Sequence, residues 1–187
     1  MRARLLTAVV VVLLFSTGAA SDEVVEANLK VVGRSAVEPP AVYGDLTVVG
    51  TTAVVATEAP AGPCAGASAA VLNVKDARKP RAVASIPFPA GMVAADLDST
   101  TIQSEGFTGD VLAIALAPCA GGAATSVTYY DITDPATPRM LSQTPGAASV
   151  SLAQRPDGRV LAARATAAGV AVDDLSNPRA PAAFATW

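Results

Sequence analysis

From position 46 onward the chain alternates between short runs of β-branched and small apolar residues and brief clusters of Gly, Pro, Asp and Asn. Runs of this length, rich in Val, Thr and Ile, read as strands rather than helices. A first group comprises residues 46–49 and 54–57 flanking Gly50-Thr51-Thr52, then 69–74 and 82–86. The second comprises 100–104, 111–116, 126–132 and 140–143. In the third, 149–152 and 160–163 surround Arg155-Pro156-Asp157-Gly158, in which Pro presets the turn and Gly accepts a positive φ. Residues 170–172 and 182–185 complete that group. The pattern predicts an all-β protein of three repeats with about four strands each.

A strand-plus-turn phrase marks the same place in every group. It reads Val71-Leu72-Asn73-Val74-Lys75-Asp76-Ala77-Arg78-Lys79-Pro80, then Thr128-Tyr129-Tyr130-Asp131-Ile132-Thr133-Asp134-Pro135-Ala136-Thr137-Pro138, then Val170-Ala171-Val172-Asp173-Asp174-Leu175-Ser176-Asn177-Pro178-Arg179-Ala180-Pro181. An apolar strand enters a polar turn and leaves through a proline, a recurrence expected of stacked β units. Asp76 and Pro80, Asp131, Asp134, Pro135 and Pro138, and Asp174, Asn177, Pro178 and Pro181 are the turn residues. Asp and Asn before Pro bond nearby backbone amides and so hold such turns by themselves. The competing reading gathers Asp131, Asp134, Asp173 and Asp174 around calcium, which takes several oxygen ligands.

The N-terminus has a different character. Arg2 and Arg4 precede the apolar stretch 5–15, followed by Ser16-Thr17-Gly18-Ala19-Ala20 and the acidic Ser21-Asp22-Glu23. A basic start, an apolar stretch too short to span a bilayer and small residues before a polar one predict a secretory leader over 1–20, cleaved after Ala20. Without a cysteine behind the apolar stretch, a lipid anchor is not expected, nor is a membrane span after the leader is removed. The expected organisation is a leader (1–20), an N-terminal segment (21–43) and three repeats over about 44–91, 92–147 and 148–187.

The phrases at Tyr129 to Pro138 and Val172 to Pro181, with Phe107-Thr108-Gly109-Asp110-Val111-Leu112-Ala113-Ile114-Ala115-Leu116 and Cys119, resemble the LVIVD repeat of secreted bacterial β-propeller proteins. The second repeat is the most similar, and the first departs at Asn73 and Ala77. The resemblance implies propeller blades of four antiparallel strands and more blades than three. Residues 29–34 look like the last strand of a preceding, ring-closing blade. Propellers have about four to eight blades, so three form a partial propeller. The chain is therefore expected to be a truncated product, a fragment or an array that closes by association through open edges near 29–32 and 182–185.

Composition narrows the chemistry. The apolar content is mostly Ala and Val, and side chains that bury little area each leave stability to many strands or a crosslink. The only two cysteines, Cys64 and Cys119, follow the second strand of the first and second repeats. Equivalent loops project from one face, so export to an oxidising compartment predicts a disulfide between them, the alternative being two free thiols. The chain has 13 basic and 16 acidic residues, and Arg2 and Arg4 leave with the leader. Phosphate backbones require clustered Lys and Arg, so nucleic acid is not an expected partner.

The absence of histidine removes Ser-His-Asp and Cys-His catalysis and His-ligated zinc. Neither a GxxxxGK[ST] nor a GxGxxG phosphate loop occurs, and 106–109 reads as a hairpin connector. Asp96 and Asp98 could pair as glycosidase-type acids on one strand face, or be a solvated loop pair with Met92 as their nearest feature of note. Among the scarce aromatics, Tyr129 and Tyr130 should face opposite sides of one strand, while Phe107 and Trp187 can pack between blades or anchor a partner. The expected role is a non-catalytic scaffold or binding module without cofactor, outside the cell or at its envelope, for an unidentified protein or surface ligand. A secreted hydrolase using carboxylates or a metal is the alternative.

Overall fold

The computed structural model describes residues 31–35, 42–58 and 66–187. Twelve strands form three four-stranded antiparallel sheets. The first contains β1 (Val42–Val49), β2 (Thr52–Glu58), β3 (Ser68–Asn73) and β4 (Arg81–Pro87). The second contains β5 (Met92–Gln103), β6 (Thr108–Pro118), β7 (Ser126–Asp131) and β8 (Arg139–Pro145). The third contains β9 (Ser149–Gln154), β10 (Val160–Thr166), β11 (Gly169–Asp174) and β12 (Ala182–Thr186). Each sheet is a simple meander in chain order. The protein is all-β, with blade-like sheets that do not close into a ring. No helix among the described residues is long and apolar enough to cross a membrane.

The sheets stack through their faces, which explains the sequence of the middle strands. In β6, Val111, Ala113 and Ala115 pack with Val127 and Tyr129 toward the third sheet, against Val150, Val160, Ala162 and Leu175. The alternate residues Leu112, Ile114 and Leu116 pack toward the first sheet, against Val54, Ala56, Ala69 and Val71. A strand covered on both faces must be apolar throughout, hence the unbroken run from Val111 to Leu116. The outer strands β4, β8 and β12 are largely exposed.

The recurring phrase forms the same structure three times. In the turn after β3, Lys79 N–H donates to the Asp76 carbonyl; Thr137 to Asp134 and Ala180 to Asn177 repeat the bond. Pro80, Pro138 and Pro181 come next, where the lack of an N–H costs nothing because no ladder bond is due. Asn73 and Ala77, where the first repeat departs from the other two, leave this turn unchanged. A one-residue bulge then follows in each outer strand, at Val83, Leu141 and Phe184. The hairpin at Arg155–Gly158 also forms, with Gly158 N–H donating to the Arg155 carbonyl and Gly158 at φ 83°.

Two expectations need correction. The first strand of the second repeat runs Met92–Gln103 rather than 100–104, so Asp96 and Asp98 lie on a strand and not in a solvated loop. Of the expected ring-closing strand at 29–34, residues 29 and 30 lie outside the described residues and 31–34 are not in a strand. Gly33 instead lies against the backbone of Ala77 and Arg78 in the first phrase turn. The leader also lies outside the described residues.

Candidate interaction surface and the polar junctions between sheets

The first strands of the three sheets are neighbours, joined by side chain to backbone bonds. Asp45 Oδ2 on β1 accepts the Leu97 N–H of β5 at 2.7 Å, and Thr47 and Ser99 share a hydroxyl bond at 2.7 Å. One step on, Asp96 Oδ2 accepts the Val150 N–H of β9 at 2.8 Å, and Asp98 Oδ2 accepts that of Leu152 at 2.7 Å. At each junction both bonds advance by the same number of residues, so β1, β5 and β9 run in one direction. Register shifts lie at the bridging carboxylates, between Tyr43 and Leu46 on β1, a span that includes Asp45, and between Ala94 and Asp96 on β5. A bulge of this kind re-aims a side chain, here toward the next sheet instead of along its own.

These bonds settle the environment of Asp96 and Asp98. Their neighbours are Asp45 and the N–H groups of β9, not Met92 alone. Burial raises the pKa of Asp96, and the Asp45 carboxylate raises it further, against the lowering effect of the Val150 and Leu97 N–H groups. The signal for this in the sequence was the shared spacing of Asp45 and Asp96 ahead of Leu46 and Leu97, visible once the first strands are aligned.

Parallel first strands bring the three phrase turns to one end of the stack and the loop that holds Cys119 to the other. Each turn Asp or Asn serves its own backbone. Asp76, Asp134 and Asn177 accept from Arg78, Ala136 and Arg179 at 3.0, 3.0 and 3.2 Å. Asn73, Asp131 and Asp174 accept from Lys75, Thr133 and Ser176 at 3.0, 3.0 and 2.9 Å. The Thr137 hydroxyl and the Ala136 N–H hold the Asp134 carboxyl below its ordinary pKa. At Asp174 burial pushes upward but the Ser176 hydroxyl and N–H, with Arg159, outweigh it, and the net shift is downward. Asp131 and Asp134 do not converge with Asp173 and Asp174, and no group of three potential metal ligands forms among the described residues.

The exposed surface of this end consists of the remaining turn side chains. A cleft of about 580 Å³ beside the first turn is lined by Asn73, Lys75, Asp76, Lys79, Arg81 and Val83. Arg179 of the third turn lies over the Phe107 ring at 5.3 Å, and the Ser104 hydroxyl donates to the Ser176 carbonyl. The second and third sheets are thereby tied at this end as well as along their first strands.

One charge pair is buried. Arg164 Nε on β10 donates to Asp173 Oδ2 on β11 at 2.6 Å, and Arg164 Nη1 donates to the Pro145 carbonyl at the end of β8. Facing it, the Tyr129 and Thr144 hydroxyls are buried beside each other, and neither makes a hydrogen bond of good geometry. Burial raises the Tyr129 pKa. Nothing in the spacing of Arg164 and Asp173 distinguished them from surface charges. Tyr129 and Tyr130 do face opposite ways, Tyr129 into the second junction and Tyr130 against the first. Phe107 is buried between sheets, while Trp187 is 73% exposed.

At the opposite end, Cys119 follows β6 with its N–H donating to the Gly91 carbonyl, and no free cysteine occurs among the described residues. Cys64 lies outside them. No known family matches this chain, and no curated protein is significantly similar to it.

Proposed function

We propose that this chain is an exported, non-catalytic binding or scaffolding module of the LVIVD-repeat, β-propeller-like kind, with Cys64 and Cys119 bridged. One observation carries the reading. Parallel first strands gather three self-bonded turns at one end, leaving the side chains around them free to vary without disturbing the sheets. The carboxylates that a hydrolase would need are engaged elsewhere: Asp96 and Asp98 hold the next strand's backbone and the turn carboxylates hold their own. The leader expected over 1–20 fits an oxidising destination, where a bridge closing so long a loop would contribute about 4 kcal/mol on the chain-entropy model. The contact surface is the turn end, with Lys75, Lys79 and Arg81 as its most basic part.

The test combines export, linkage and binding. Cell fractionation should place the chain outside the cytoplasm beginning at Ser21, and a non-reduced digest should yield linked Cys64 and Cys119 peptides. Labelled mature chain should bind isolated envelopes of the producing cell saturably, and Lys75→Glu/Lys79→Glu should abolish that binding without altering the melting temperature. Unchanged binding by the double variant removes the turn end from the reading. Turnover of ester or glycoside substrates that disappears in Asp98→Asn would favour the hydrolase alternative instead.

A further inference from the structure

The two junctions within the chain are built from equivalent positions, and the first strand of the first sheet and the far face of the third sheet leave equivalent positions exposed. Register places Leu46, Leu97 and Val150 at equivalent positions, as it does Asp45, Asp96 and Ser149, and Thr47, Asp98 and Ser151. Leu97 and Val150, each covered by the preceding first strand, are 5% and 4% exposed. Leu46 is 38% exposed and Val48, two residues on, is 57% exposed. Leu97 N–H is bonded by its own neighbour Asp96 and also by Asp45 across the junction. Leu46 N–H is bonded by its own neighbour Asp45.

The far side of the third sheet carries the complementary half. Ser149 and Ser151 are exposed where Asp96 and Asp98 reach across the second junction, and a serine hydroxyl can accept from a backbone N–H as a carboxylate does. Behind them, Ala165 and Val170 are exposed at the positions where Ala115 and Val127 are completely buried. The face is thus patterned like the two internal contact faces, small and apolar with acceptors along its inner strand.

We propose that a second copy of this chain docks head to tail, with β1 of one copy against β9 of the other in the arrangement that joins β1 to β5 and β5 to β9. Ser149 and Ser151 then face the backbone N–H groups of Leu46 and Val48 in the partner copy. The contact follows the inner strands, because the outer part of the first sheet, at Ala53, Val55, Ala70 and Leu72, is already buried. This is a heterologous contact, which either closes into a ring or continues as a filament. The described residues of two copies supply six sheets, within the range of about four to eight at which such rings close, so a dimer is the smallest ring this contact can close. The proposal depends on the stacking of the sheets and is independent of what the turn end binds.

Sedimentation equilibrium of the purified mature chain across a wide concentration range reads the association directly. Val48→Asp and Ser151→Arg alter exposed side chains on opposite ends and should each weaken dimer formation by about tenfold or more at an unchanged melting temperature. Both substitutions in one chain place Asp opposite Arg at each contact between copies and should restore association. A monomer at all concentrations would overturn the proposal. So would self-association indifferent to both substitutions, or one abolished instead by a proline in the outer strand β12, which would assign the contact to edge pairing.

Discussion

Asp45 and Asp96 share one donor, the Leu97 N–H, at 2.7 Å and 3.1 Å. They sit on first strands of different sheets, so this N–H is one of the points where the first sheet meets the second. Asp96 turns its other oxygen to Val150 of the third sheet at 2.8 Å. One carboxylate therefore touches both junctions, and its ionisation is coupled to the stacking of all three sheets.

The pH dependence follows from that geometry. Burial first, and the Asp45 carboxylate second, raise the pKa of Asp96, so the folded chain holds a proton where the unfolded chain has lost it. Through the window from the ordinary carboxylate value up to the raised one, the contribution of Asp96 to stability falls as pH increases. Asp45→Asn removes the like charge and should lower the Asp96 midpoint in a carboxyl NMR titration, with a smaller loss of stability across the window. An unmoved midpoint would assign the whole effect to burial. Asp134 and Asp174 have the opposite sign: their lowered values give stability that is present above the ordinary range and lost as pH falls through the folded value.

The buried pair Arg164–Asp173 should behave asymmetrically. Removing one partner strands the other charge without water, at a cost of about 3–5 kcal/mol, whereas replacing both with apolar residues is often close to neutral. Urea unfolding of Arg164→Met should show the large loss, and Arg164→Met/Asp173→Leu should recover most of it. A double variant as unstable as the single one would mean that Arg164 matters mainly through its bond to the Pro145 carbonyl.

Next to that pair, Tyr129 presents a test of the opposite kind. Its hydroxyl is buried with only the Thr144 hydroxyl beside it and no hydrogen bond of good geometry, and leaving such a group desolvated costs about 1–3 kcal/mol. Tyr129→Phe keeps the ring in the second junction and removes the hydroxyl, so it should be neutral or stabilising in thermal melts. A clear loss of stability would place a hydrogen bond on that oxygen.

Much of this architecture was legible before any coordinates, for identifiable reasons. Turns are local: Asp134 to Pro138 bonds only to itself, so its spacing in the chain is its structure. The continuous apolar run at Val111 to Leu116 likewise signals a strand covered on both faces. Asp96 and Asp98 were misread because their partners lie 54 residues away on β9 and because a bulge, invisible as composition, aims them there. Arg164 carries no local signal for the same reason, since its carboxylate comes within reach, diagonally across, only after β10 and β11 pair. What spans sheets is not written in local pattern, and the junctions, not the strands, are where sequence reading stopped.

The third phrase turn tests whether its polar residues act structurally. Asn177 Oδ1 accepts the Arg179 N–H at 3.2 Å, and Asn177→Ala should lower stability by roughly 1 kcal/mol through loss of that bond. Calcium should leave the melting temperature of the unsubstituted chain unchanged, because a ligand of the folded state must stabilise it by mass action. A marked upward shift in millimolar calcium would sink the structural account of Asp131, Asp134, Asp173 and Asp174.

At the start of β6, backbone and side chain make separable demands on one position. Gly109 has φ 154°, in the region that side chains rarely adopt, and a Cβ built there would lie 2.1 Å from the Thr133 hydroxyl oxygen. That same oxygen accepts the Asp110 N–H at 3.0 Å, so it cannot rotate away without losing the bond. Gly109→Ala should therefore cost about 1–3 kcal/mol, combining strain at the backbone with displacement of Thr133. Thr133→Ala on its own sacrifices only the Asp110 bond, and adding Gly109→Ala to it avoids the collision with Thr133 while keeping the strain and a close approach of 3.2 Å to the Phe107 ring. If strain matters, the double variant remains less stable in urea unfolding than Thr133→Ala. Equal stability of those two proteins would mean that the glycine is required for space beside Thr133 and not for its backbone conformation.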